Sequence, residues 1–308
     1  MYKFFYYLVP FLMTWLGMKY VSRILPQDQG RAFAVNGAKS KGKPRGAGII
    51  LISCFVISGF ILLPLDKELV IYMILTFLSM LSGFFDDAST IPWGELKKGL
   101  IDLVLSVAMA WTFLHYNSHT IKLPFVSETV TIPYAVFMIL IVILVWTSIN
   151  VTNCADGVDS LCAVLSIVTL LTINVMLRNT GSSFDKTVVM LCVCIGAYIW
   201  FNSSPSYLLM GDAGSRSIGF FIAIAILKTG NPILYIAAAL LLIVDGGLGL
   251  VKLTVIRVTK NKNFMKNLRT PIHDHMRKNK GWSDTQVVLR FAILQAIISL
   301  LALSMEYR

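Results

Sequence analysis

The chain has 308 residues, of which 56% are hydrophobic and 14% charged, with a mean hydropathy of +0.73 and a formal net charge of +11. That balance excludes an ordinary soluble domain and points to an integral membrane protein. The basic residues are confined to loops between apolar runs, where topology and anionic lipid account for them, so nucleic acid is not an expected partner.

Ten apolar stretches approach the roughly 20 helical residues that cross a bilayer. They lie near 4-22, 47-64, 69-85, 99-116, 132-150, 159-177, 187-202, 216-228, 232-256 and 287-304. The first has neither a basic leader nor a small-residue cleavage site and is read as a helix rather than a signal peptide. The sixth to eighth are short and carry embedded polar residues, so merging or re-entry is open for them. Cys54, Cys154, Cys162, Cys192 and Cys194 lie in or beside these runs without paired spacing, as small buried side chains rather than disulfides or metal ligands. The expected fold is a single all-α polytopic membrane domain over 1-308.

Orientation follows from lysine and arginine. The first loop carries Arg23, Arg31, Lys39, Lys41, Lys43 and Arg45, and the ninth carries Arg257, Lys260, Lys262, Lys266, Arg269, Arg277, Lys278 and Lys280. Positive loops stay inside, so the odd loops are expected to be cytoplasmic and both termini outside. The same parity sends Asp86, Asp87, Asp156, Asp159, Asp212 and Asp274 to the cytoplasmic face. A carboxylate is costly in hydrocarbon, so gathering acids at one face indicates a polar reaction site.

Four elements carry the chemistry. Asp86 and Asp87 end an apolar helix as neighbouring carboxylates, suited to a divalent cation that takes one or two carboxylates plus substrate phosphates, or else merely marking a helix end. Asn150, Asn153, Asp156 and Asp159 recur every third residue and would line one side of a helix or tight helical turn, although one of the acids alone would suffice as an N-cap. Asn202 precedes Gly211-Asp212-Ala213-Gly214-Ser215, where glycine allows close backbone approach and the following helix N-terminus would favour an anion. His273-Asp274-His275 lies in the long basic loop. With only His115 and His119 elsewhere, zinc is not expected there, whereas phosphate contact is.

In this order the elements resemble the polyprenyl-phosphate N-acetylhexosamine-1-phosphate transferase superfamily along nearly the whole chain. Thr270 to His275, Lys280-Gly281-Trp282 and Arg290-Phe291 look most like its phospho-N-acetylmuramoyl-pentapeptide transferase branch. The resemblance implies UDP-N-acetylmuramoyl-pentapeptide and undecaprenyl phosphate as substrates, Mg2+ as cofactor, UMP as leaving product and a role in peptidoglycan synthesis at the bacterial inner membrane. It also implies ten helices, commonly in a homodimer.

Carried over residue by residue, the resemblance makes Asp86, Asp87, Asp159, Asp212, Lys98, His273 and His275 candidate catalytic residues. Lys41, Asn150, Asn153, Asp156, Asn202 and Gly211 become candidate substrate-binding residues, and Asp212 the metal ligand. The chain departs from the pattern at Thr90 (usually Lys), Leu209 (aromatic), Asp274 (His) and Arg277 (Glu); the last two are read as a compensating pair. An N-acetylglucosamine-1-phosphate transferase would use the same acids. An ion-coupled transporter is the alternative from another class, and it would need acids near mid-membrane. Only Asp102 and Asp245 qualify. Asp102 is expected to pair with Lys98 one turn away, whereas Asp245 has no evident partner.

Overall fold

The computed structural model describes residues 4–30, 40–124 and 128–306; Arg31 and Lys39, counted above for orientation, lie outside them. The expected apolar stretches become helices: α1 (Phe5–Val21), α2 (Gly48–Leu62), α3 (Lys67–Asp87), α4 (Glu95–Tyr116), α5 (Tyr134–Cys154), α6 (Leu161–Asn179), α7 (Asp185–Asn202) and α8 (Gly211–Leu227). A broken segment and two further helices follow. Among the described residues six helices are long and apolar enough to cross a membrane, seven with the broken segment taken as one span. The architecture is thus an all-α, multi-spanning bundle with one small exception: β1 (Thr120–Lys122) and β2 (Thr129–Thr131) form an antiparallel hairpin between α4 and α5.

The centre of the bundle is α8, every residue of which is buried. Its most extensive packing is against α3 and α5, with α2 and α6 completing the surround. Close approach to α3 depends on Gly83, where a Cβ would stand 2.4 Å from the Asp212 carbonyl oxygen. A helix enclosed in this way can be apolar on every side, so periodicity says nothing about its orientation.

The ninth stretch is not one straight helix. After a short 3-10 turn come α9 (Tyr235–Ala238), α10 (Leu240–Leu242), a π turn (Ile243–Gly247) and α11 (Leu248–Thr259), with a 70° bend between its two halves. Hydropathy alone could not show the bend, because it falls at Ala239 within an uninterrupted apolar run. Such π turns are rare and concentrate at functional sites; this one contains Asp245. The basic loop that follows is also more ordered than expected. It folds into α12 (Ile272–Lys280), with Pro271 ahead of its first turn and Gly281, at φ +68°, closing it. Helix α13 (Asp284–Glu306) completes the chain.

Candidate active site

One end of the bundle holds a cavity of about 710 Å³. It is lined from the end of α3, the start of α4, the end of α5, the start of α8, the start of α12 and the loop that leads into α2. Among the described residues Asp28, Asp86, Asp87, Asp156, Asp212 and Asp274 face it, against Arg45 and Lys98 as permanent cations.

The acids nearest α8 are tightly held. Lys98 pairs with Asp86 and lies 3.0 Å from Asp212 Oδ2. The second oxygen of Asp86 accepts from the Trp93 N–H at 2.7 Å. Asp87 accepts from Arg45 Nε at 2.9 Å and from the Ala213 N–H at 3.0 Å. The start of α8 is therefore capped by a protein carboxylate, which satisfies a free N–H and the positive end of the helix dipole. The anion expected there is Asp87 itself, not a ligand phosphate. Gly211 makes this approach possible: its φ is +72°, and a Cβ there would come within 2.2 Å of Asp87 Oδ2.

Arg45 and Asp28 are site residues that sequence reading passed over. Burial alone would lower the Arg45 guanidinium's pKa, but Asp87, Asp212 and Asp28 hold it above the ordinary value, so it stays a cation. Asp28 accepts from Gly30 N–H, Ser40 Oγ and Arg45 Nη1 at 3.1, 2.6 and 3.4 Å. The only signal was their position in a loop whose charges had been assigned to topology.

The stripe of four polar residues is divided by the end of α5 at Cys154. Asn153 and Asp156 line the cavity, and Asn153 Oδ1 accepts from Ser215 Oγ at 2.7 Å. Asn150 instead donates to the Trp146 carbonyl of its own helix. Asp159 lies past the helix end and binds the Ser206 N–H and Oγ at 3.1 and 2.9 Å, while Lys43 donates to the same Ser206 hydroxyl. Asn202 is buried, accepting from Ser160 N–H and donating to the Leu208 carbonyl, both at 2.7 Å. Asp159 and Asn202 thus brace the loop ahead of α8 and are not among the lining residues. Lys41 is exposed on its own loop and is not among them either.

His273 and His275 part company. The His273 N–H donates to Asp245 Oδ1 and its Nδ1 lies 2.7 Å from Asp245 Oδ2, so the π turn holds a buried imidazole at the cavity wall. Gly157 leaves room for that ring, since a Cβ would meet Nε2 at 2.3 Å. His275 instead accepts from the Arg269 N–H at 3.3 Å and stays outside the lining. Replacing Asp245 with Asn is expected to lower turnover about tenfold or more by loosening His273, with folded protein still recovered. Wild-type turnover in that variant would refute the arrangement.

One expected pairing changes and another is present but extended. Asp102 pairs with Arg216 on α8, not with Lys98, which is already engaged by Asp86 and Asp212. Arg277 lies 3.4 Å from Asp274, but its closer partner is Asp284 at 2.7 Å, so the proposed compensating pair is part of a three-residue group.

The chain is 36% identical, over 94% of its length and 85% of the relative's, to the phospho-N-acetylmuramoyl-pentapeptide-transferase of Treponema pallidum. It is 27% identical to the protein of that name from Bartonella quintana, over 91% of the chain and 85% of the relative. For Rickettsia canadensis the identity is 26%, over 90% and 84%. Residues 69–230 match the glycosyl transferase family 4 model, a span that runs from α3 through α8 and contains Asp86, Asp87, Lys98, Asn153, Asp156 and Asp212. The region that builds most of the acidic cavity is thus the region the family shares, and the chain belongs to glycosyl transferase family 4.

Proposed function

We infer that the chain is a phosphoglycosyl transferase that moves phospho-N-acetylmuramoyl-pentapeptide from its UDP-linked form to undecaprenyl phosphate, giving the first lipid-linked peptidoglycan precursor and UMP. The observation that carries this reading is the 36% identity to a phospho-N-acetylmuramoyl-pentapeptide-transferase over nearly the full chain. The acid-lined cavity at the end of an apolar bundle supports it physically, because one reactant is a lipid and the other a water-soluble nucleotide. A transporter is disfavoured: its two candidate coupling acids, Asp102 and Asp245, are already paired with Arg216 and His273.

The finer reading has ten spans, both termini outside, the cavity on the cytoplasmic side of the inner membrane, and a homodimer. The lysine and arginine bias of the loops supports the orientation.

A divalent cation suits the cavity's donor set. Among the described residues, six carboxylates against two cations would repel two phosphate-bearing substrates unless positive charge were added. Mg2+ takes one or two carboxylates and is completed by phosphate oxygens and water, so it needs no full protein cage. Asp212 would hold it, with Asp86 and Asp87 adjacent. When bound, it supplies charge neutralisation at the pyrophosphate.

The chain's own residues do the rest. Lys98 presents an ammonium beside Asp86 and Asp212 to stabilise charge moving onto UMP. The acceptor phosphate has a second pKa of about 6 and is already largely a dianion near neutrality. It therefore needs orientation more than deprotonation, a role we assign to Asp86 or Asp87, and His273 lines the same cavity. We favour direct attack of the lipid phosphate on the sugar-linked phosphate.

Purified protein with Mg2+, undecaprenyl phosphate and either UDP-N-acetylmuramoyl-pentapeptide or UDP-N-acetylglucosamine tests the reading. UMP release is expected with the first nucleotide only. Release favouring the second would reassign the sugar, and no Mg2+-dependent release from either would reject the activity.

A further inference from the structure

Arg45 has an arrangement unlike that of a structural ion pair. Each of its three guanidinium nitrogens meets a different carboxylate: Nε with Asp87 at 2.9 Å, Nη1 with Asp28 at 3.4 Å, and Nη2 with Asp212 at 3.9 Å. None of these contacts is a two-pronged match to one carboxylate, the geometry that gives arginine pairs their strength. The last is beyond hydrogen-bond range. The guanidinium also keeps access to the cavity. Its side chain is 23% exposed, while those of Asp28, Asp87 and Asp212 are at most 8% exposed.

The backbone around it is fixed. Arg45 N–H donates to the Pro26 carbonyl at 2.8 Å, and Leu209 N–H donates to the Pro44 carbonyl at 2.8 Å. Ala47 and Gly48 donate to the Leu209 and Met210 carbonyls, both at 3.0 Å. The loop is thereby registered against the turn that opens α8, and the stem of Arg45 is anchored while its head is loosely shared. A planar fork with spare donors, at the wall of a cavity read as binding two phosphate compounds, has the chemistry of a phosphate ligand.

We propose that Arg45 is a phosphate-binding residue that exchanges partners. It neutralises Asp87 and Asp212 before substrate binds, and turns its fork onto phosphate oxygens once a divalent cation occupies those carboxylates. The ligand is the diphosphate of the nucleotide-sugar or the monophosphate of the lipid, and the proposal rests on the transferase reading above.

The exchange predicts effects of opposite sign. In full-length protein, Arg45→Gln removes a competitor of the cation, so calorimetry on the substrate-free protein should show Mn2+ binding tightened severalfold. Inorganic pyrophosphate, titrated in the presence of Mn2+, should bind about tenfold or more weakly. In the UMP-release assay the KM rises for one substrate, and the one affected identifies whose phosphate Arg45 holds. Arg45→Lys keeps the charge without the fork and should give intermediate values.

Weakening of Mn2+ and pyrophosphate together would mean that Arg45 only supports the fold and would overturn the proposal, as would unchanged constants. If Arg45→Gln does not fold, Arg45→Lys decides: wild-type pyrophosphate affinity there also overturns it. A wild-type protein that releases no UMP would remove the transferase reading, whereas the two calorimetric titrations would still judge the partner exchange.

Discussion

Replacing Asp212 with Asn is expected to reduce UMP release about a thousandfold or more, with little change in folded yield. The substitution keeps the side chain's shape in a nearly closed setting, where the carboxylate is 8% exposed. It removes the charge that faces Lys98 and Arg45. Both cations keep a carboxylate partner, Asp86 for Lys98 and Asp87 for Arg45, so no buried charge is stranded. The loss should therefore appear in turnover and in Mn2+ binding, with the unfolding midpoint almost unmoved. Turnover within tenfold of wild type would remove Asp212 from the centre of the chemistry.

Arg216→Met is expected to act on the fold instead, costing about 3–5 kcal/mol. Arg216 and Asp102 are 1% and 2% exposed and pair between α8 and α4 in the interior of the bundle. Removing one partner leaves an uncompensated charge where water cannot reach it. Replacing both, as Asp102→Asn with Arg216→Met, should recover most of the loss, since a buried ion pair itself contributes little beyond its hydrophobic substitute. Thermal unfolding of the three variants in one detergent measures this. An Arg216→Met protein that unfolds with the wild type would show that Asp102 is not charged in the native state. The pair lies one helical turn inward from Lys98 and Asp212 on the same two helices, so a shift of α4 against α8 would also displace the reactive pair.

The apolar helices were legible because length and hydropathy are local properties, and the acids at one end followed from their parity. Contacts between distant segments were not legible. Local spacing assigned Asp102 to Lys98, whereas the bundle brings Arg216 across from α8, a pairing that no i,i+4 rule contains. The polar stripe from Asn150 to Asp159 supposes one shared side, but only Asn153 and Asp156 line the cavity, while Asn150 and Asp159 bond elsewhere. Arg45 was read as a topological charge because nothing in its loop resembles a motif. The resemblance brought His273 and His275 in together, and only the π turn around Asp245 distinguishes them.

The cap that Asp87 places on α8 bears on covalent chemistry. An acyl-phosphate needs a carboxylate oxygen with space around it for a tetrahedral group and its charge. One Asp87 oxygen is bonded to the Ala213 N–H and lies against the hydrogen face of Gly211, so tightly that a single methyl there would collide with it; the other holds Arg45. A phosphoryl group on the capping oxygen would have to unseat the central helix, and one on the other oxygen would need the guanidinium to have left it first. Through that capping oxygen Asp87 is built as a strut for α8, and a route that formed and cleaved a bond to it would dismantle that strut once in every turnover.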